Sequence, residues 1–174
     1  MKNKAIIISG NLAQDHEFIY PYYRLLEEGF KVDVCILEGV PVKGILGTTL
    51  PPNKEQPVLK IDEIKPDDYD LLVLPGGVKA MEKVRQEKKI IKFISEFDKK
   101  GKIIACICSG AQLLISAKAV NNRKIAGYYS MSDDLINAGA IYTDEPAVID
   151  NNIITTAHYK DMGPWMREVI KKLK

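Results

Sequence analysis

The run Ile103-Ile104-Ala105-Cys106-Ile107-Cys108-Ser109-Gly110-Ala111-Gln112-Leu113 changes character at Cys108. Before it the residues are apolar and mostly β-branched, as in a strand buried on both faces. After it, Ser109-Gly110-Ala111 opens what reads as a helix over Ser109–Ala117. A strand that turns sharply into a helix with a nucleophile at the corner is a nucleophile elbow, and the turn requires small residues two positions to either side. Cys106 and Gly110 meet that requirement. A thiol at a helix N-terminus also meets free backbone N–H groups that favour thiolate. Cys108 is therefore expected to be reactive, and Cys106, inside the strand, to pack as a small hydrophobe.

The rest of the chain repeats this strand-then-helix alternation. Ala5–Ser9 reads as a buried strand, followed by a helical segment to about Glu28 that Gly29 ends. Val32–Leu37 and Leu71–Leu74 are further strands, the latter closed by Pro75-Gly76-Gly77. A helix from about Ile90 to Lys99 stops at Gly101 and feeds the Cys108 strand. Residues 39–66, with Gly39, Gly44, Gly47 and Pro51-Pro52, suggest a hairpin lying off the main sheet. Downstream come a strand over Lys124–Tyr129, a helix near Asp133–Asn137 and a hairpin-like pair, Ala147–Ile149 and Ile153–Thr156, turning at Asn151-Asn152. A closing helix over about Lys160–Leu173 carries the only tryptophan, Trp165, as a packing anchor. The pattern predicts one α/β domain over residues 1–174, a mostly parallel sheet with helices on both faces. Such sheets carry their sites at the carboxyl ends of the strands, where Asn11, Gly76, Gly77 and Cys108 fall.

Composition excludes several classes. With 174 residues and a net charge of +2, there is length for a sizeable core but no basic block for nucleic acid. No apolar run approaches a membrane span, and Lys2-Asn3-Lys4 leads directly into a strand, so no signal peptide is expected. Three cysteines, two of them in Cys106-Ile107-Cys108, do not form a disulfide framework and suit a reducing cytoplasm. No Gly-rich phosphate loop appears, and His16 and His158 lack zinc spacing with the cysteines, so neither cofactor nor metal is expected.

A cysteine that works on carbonyls needs proton management and an oxyanion site. Glu17 is the candidate for the first. Pro21 has no N–H to bond the carbonyl of residue 17, and Phe18-Ile19-Tyr20 would bury the surroundings. An acid so placed has a raised pKa and can donate to the thiolate; a solvated helix-start acid is the plainer alternative. If the pairing forms, a carboxyl oxygen should lie roughly 2.6–3.5 Å from the sulfur. Backbone N–H groups of Gly77 and of Ser109 are the expected oxyanion donors. His158, near a strand end, could make a thiol–imidazole pair with Cys108, although a surface or packing histidine is the simpler reading. Tyr20, Tyr22 and Tyr23 cluster around Pro21, which suggests an aromatic interface with a second copy.

The segment Ala105–Ala117 resembles the nucleophile region of the ThiJ/PfpI family. So do Glu17-Phe18-Ile19-Tyr20-Pro21-Tyr22, Leu72-Val73-Leu74-Pro75-Gly76-Gly77, Asp133-Asp134-Leu135-Ile136-Asn137-Ala138-Gly139 and Trp165-Met166-Arg167-Glu168. The resemblance is closest to the PfpI branch, described as intracellular proteases, in a family that also holds deglycases and glyoxalase III enzymes. It implies a flavodoxin-like sandwich, a reactive Cys108 paired with Glu17, and oligomers. PfpI-type members carry a His after the Cys, where Ser109 stands here, and use an acid of a neighbouring subunit, for which Glu82 has the approximate place. Tyr128 falls where that branch has Tyr and the deglycase-like branch His, and Thr156-Ala157-His158-Tyr159 lacks the Arg common there. The expected activity is cofactor-free conversion of reactive carbonyls, methylglyoxal to lactate or early glycation adducts to their hydroxy acids. A cysteine peptidase or amidase and a non-catalytic thiol redox sensor are the alternatives.

Overall fold

The computed structural model describes residues 3–174; Lys2, read above with the N-terminus, lies outside them. In chain order the elements are β1 (Lys4–Ser9), α1 (Asp15–Glu27), β2 (Lys31–Ile36), a short arm of β3 (Val42–Lys43) and β4 (Thr49–Leu50), β5 (Val58–Leu59), β6 (Leu71–Leu74), α2 (Val78–Val84), α3 (Lys88–Lys99) and β7 (Ile103–Ile107). Then come α4 (Ala111–Ser116), β8 (Lys124–Ile125), α5 (Ser132–Asn137), β9 (Ile141–Tyr142), β10 (Val148–Asp150), β11 (Ile153–Thr156) and α6 (Met162–Leu173).

Seven strands form the central sheet in the order β10-β11-β7-β6-β1-β2-β5. All neighbours are parallel except β10, which pairs antiparallel with β11. β6 and β7 are apolar throughout, and β1 is so over residues 5–8, because both faces are covered. Helices α1 and α6 pack together on one face, against β1, β2, β7 and β11; α2, α3 and α4 cluster on the other. The result is a three-layer, flavodoxin-like sandwich, as the sequence predicts.

Trp165 ties α6 to the sheet. It is fully buried, and its Nε1–H donates to the Ile154 carbonyl at 3.0 Å. Trp165→Ala is expected to cost about 3–5 kcal/mol and to lower the Tm by on the order of 10 °C. Thermal unfolding followed by circular dichroism checks it, and an unchanged Tm would deny the anchor role.

Three expectations are corrected. Residues 39–66 do form an antiparallel hairpin off the sheet, β3–β4, but β5 from the same stretch adds to the main sheet beside β2. The strand expected over Lys124–Tyr129 stops at Ile125 and pairs with β9 in a separate two-stranded sheet. Beyond it Ala126 N–H donates to Thr155 Oγ1 and Tyr128 N–H to the Cys108 carbonyl, so the chain leaves the ladder to cross the elbow. Of the three clustered tyrosines, Tyr22 lies inside, 1% exposed, stacked on Phe18 with its hydroxyl on Gln56; Tyr23 is the exposed one.

Candidate active site

Three adjacent strands, β7, β6 and β1, deliver the site from their carboxyl ends. β7 ends at Cys108, which holds a left-handed backbone (φ 59°) and starts a single 3-10 turn, Cys108–Gly110, before α4. A non-glycine residue keeps such a conformation only where its surroundings enforce it, as at elbow nucleophiles. Gly110 shows why the flank is small: a Cβ there would stand 2.6 Å from the Leu74 carbonyl and 2.8 Å from that of Pro75.

β1 leads to Glu17 in the first turn of α1, fully buried. Between the two strands β6 delivers Pro75-Gly76-Gly77. Gly76 N–H donates to Glu17 Oε2 at 2.8 Å. A Cβ on Gly76 would run into that same oxygen and approach the Cys108 Cβ to 2.8 Å, so Glu17 and Cys108 together occupy the space a side chain would take there.

Glu17 Oε1 is buried and has no partner of hydrogen-bond geometry among the described residues. Burial pushes the Glu17 carboxyl up to about 7, against the thiol of Cys108 and the Gly76 N–H, which act to lower it. The thiol therefore lies near enough to couple to the carboxyl. The Cys108 thiol and the Glu17 carboxyl interact as a side-chain pair, each shifting the other, although Oε1 meets no partner in full hydrogen-bond geometry.

Cys108 departs from the thiolate expectation. Burial first, and the Glu17 charge second, push its thiol up to about 12, while the Ser109 N–H and hydroxyl pull the other way. The resting pair thus holds its proton on sulfur, with a carboxyl beside it that titrates near neutrality. The two expected oxyanion donors also separate. Gly77 N–H donates to Ser109 Oγ at 2.9 Å and is not free, whereas Ser109 N–H faces the sulfur.

The thiol opens on a cavity of about 420 Å³ whose lining includes Glu17, Gly77, Cys108 and Ser109 together with Ile45, Tyr128, Met131, His158 and Tyr159. That is room for a small ligand.

The model of the DJ-1/PfpI family matches residues 3–172. The chain belongs to the DJ-1/PfpI family. It is 40% identical over 171 residues to Deglycase PfpI of Pyrococcus furiosus, covering 98% of this chain and 99% of that one. It is 31% identical to the putative cysteine protease YraA of Bacillus subtilis over the whole of both chains. The crystal structure of Drosophila melanogaster DJ-1beta superposes with a TM-score of 0.89 at 24% identity, covering 99% of this chain and 91% of that one.

In this DJ-1/PfpI protein the remaining expected residues take distinct places. His158 and Tyr128 line the cavity. The His158 ring lies 4.0 Å from that of Tyr159 and about 6 Å from those of Tyr128 and Tyr129, centre to centre. His158 Nδ1 accepts the Lys160 N–H at 3.2 Å, so the neutral ring carries its proton on Nε2 and offers a donor rather than a base. Glu82, on α2, is exposed and lines not this cavity but an adjoining one of about 370 Å³. Within one DJ-1/PfpI chain the structure therefore joins Cys108, Glu17, Ser109, Gly77, Tyr128 and His158, and leaves Glu82 outside. Among the described residues no group of three His, Cys, Asp or Glu side chains could hold a metal ion.

Two features escaped the sequence reading. Gln112 lines both cavities; a lone polar side chain in the apolar run Ala111–Ile115 was the available signal. Asp15, buried two residues before Glu17, accepts N–H groups of Leu46 at 2.8 Å and Thr48 at 2.9 Å and so ties the tip of the β3–β4 arm down. Ile45, at that tip, is placed as cavity wall, its own N–H held by the Ala13 carbonyl at 2.9 Å. Burial works to raise the Asp15 pKa, but those amides and the Thr48 hydroxyl hold it below the usual value.

Proposed function

We propose that the protein is a cofactor-independent enzyme of the deglycase and glyoxalase type, which turns small 2-oxoaldehydes into 2-hydroxy acids through Cys108 and Glu17. The observation that carries the reading is the buried Glu17 carboxyl, near 7, with one oxygen left unpartnered beside a protonated thiol. An acid–base group works best when its pKa lies near the working pH, because it can then both take and return a proton.

The steps balance without an outside reagent. Glu17 takes the thiol proton as Cys108 sulfur bonds to the aldehyde carbon; the carbonyl π pair moves to oxygen, which receives that proton, giving a hemithioacetal. Glu17 then removes the hydrogen on the sulfur-bearing carbon, and the electron pair shifts to the neighbouring ketone, forming an enediolate. The hydroxyl proton of the first carbon passes to the oxygen of the second, Glu17 returns its proton to the second carbon, and the first carbon's C=O re-forms as a thioester. Water adds to it, the C–S bond breaks, the thiol recovers its proton and the hydroxy acid departs. Methylglyoxal plus water gives lactate, with one carbon oxidised and its neighbour reduced. The Ser109 N–H is the donor for the oxygen that develops charge in each addition. Early glycation adducts carry the same carbon skeleton, which fits the deglycase names of relatives such as that of P. furiosus.

A peptidase built on a thiol–imidazole pair would need a histidine base at the sulfur, and His158, whose Nδ1 already accepts the Lys160 N–H, does not supply it. The three free cysteines suit a reducing cytoplasm. The direct test is purified protein with methylglyoxal and no additive, with lactate followed by NMR. Lactate above the protein-free control is expected; none at all would overturn the proposal.

A further inference from the structure

Gln112 stands one helical turn beyond Cys108 and lines the same cavity, yet it is only 7% exposed. On its far side is Arg85, from the end of α2, whose Nη1 donates to Gln112 Oε1 at 3.3 Å. Arg85 Nε donates in turn to Ser116 Oγ at 2.9 Å, so the guanidinium is held at two points. A guanidinium has only donors, and an amide can meet it only with its oxygen. The orientation of the Gln112 amide is thereby fixed, oxygen to Arg85 and nitrogen away from it. Among the described residues no acceptor meets that nitrogen. The nitrogen is not one of the fully buried unpartnered atoms, so it is reachable from outside, and the cavity that Gln112 lines is the place from which an acceptor can come.

The donor count at the thiol makes the point sharper. Gly77 N–H is engaged by Ser109, and Ser109 N–H faces the sulfur. A 2-oxoaldehyde brings two carbonyl oxygens. One is bonded to the carbon that Cys108 attacks and falls to Ser109; the other, one carbon along, needs its own donor. We infer that Gln112 Nε2 is that donor and determines specificity for vicinal dicarbonyls over simple aldehydes, with Arg85 as the positioning residue behind it. The inference rests on the 2-oxoaldehyde reading above but concerns recognition, which can be read without turnover.

The test is the protection of Cys108 against iodoacetamide by methylglyoxal and by propanal, each referenced to the same aldehyde with N-acetylcysteine. The ratio cancels both the electrophilicity of the aldehydes and any change in basal alkylation. Wild type should prefer methylglyoxal beyond the free thiol, and Gln112→Leu should lose about 3–10-fold of that preference, the worth of one hydrogen bond. Arg85→Met, which frees the amide to turn, should lose part of it, and Arg85→Lys, still a pure donor, should keep more than Arg85→Met. No excess preference in wild type, or full preference in Gln112→Leu, overturns the inference. Should Gln112→Leu fail to fold, the arginine pair decides: equal preference in Arg85→Met and Arg85→Lys overturns it. Selective protection without lactate would sink the proposed reaction and leave the recognition role standing.

Discussion

Cys108→Ala is expected to reduce lactate formation from methylglyoxal to the rate without protein, a loss on the order of 10⁴-fold or more. Every step described above proceeds on the C–S bond, so no partial route remains once sulfur is gone. The substitution removes a small side chain that is only half-buried, and alanine meets the same left-handed backbone as cysteine. Far-UV circular dichroism and Tm should therefore stay close to wild type, which separates lost chemistry from lost fold. Substantial residual turnover would place the nucleophile elsewhere.

Glu17→Gln is expected to move three observables in different directions. Turnover should fall by about 10²–10⁴-fold, the usual worth of a general acid–base group. Alkylation of Cys108 should become faster, because the negative charge that holds the thiol up is gone while Ser109 N–H still faces the sulfur. Stability should rise at alkaline pH. The sign follows from the direction of the shift: a carboxyl raised to about 7 from an ordinary 4.5 favours the folded state below its unfolded pKa and loses that advantage as pH climbs through 7. Ionised Glu17 thus costs the native state roughly 3 kcal/mol above pH 8, and glutamine, which keeps an oxygen for Gly76 N–H, avoids it. Urea unfolding at pH 6 and pH 9 reads the difference. A variant equally stable at both pH values relative to wild type, with slower alkylation, would show that Glu17 is not the buried acid described.

The central strands were legible because burial on both faces leaves a local mark, an uninterrupted apolar run. Ala5–Ser9, Leu71–Leu74 and the strand before Cys108 carry that mark and were placed within a residue. The elbow was legible for the same reason, since Gly110 has no room for a Cβ and the small flanks are written in the sequence. What stayed hidden depends on partners distant in the chain. Val58–Leu59 is too short to declare a strand, and only Val34 and Cys35 make it one. Tyr128 reads as strand by composition, but its N–H finds the Cys108 carbonyl twenty residues back. Gly77 looks like an oxyanion donor until its N–H is seen to donate to Ser109 Oγ. The pKa of Cys108 is the clearest case. The helix N-terminus argued for thiolate, whereas burial and the Glu17 charge, both tertiary, dominate.

The first turn of α1 carries both the anion that holds the β3–β4 arm and the carboxyl beside the thiol, two residues apart. Roof and proton relay are thus mounted on one rigid part, like a latch and a firing pin on the same bolt. A change in the loop from Gly44 to Thr48 cannot be felt by Ile45 alone; it is transmitted through Asp15 to the turn that aims Glu17. Diversification of the arm toward new ligands is therefore constrained from beneath: the loop is free to vary its outward side chains, but the Leu46 and Thr48 amides must return to the same carboxylate for the chemistry below to stay aligned.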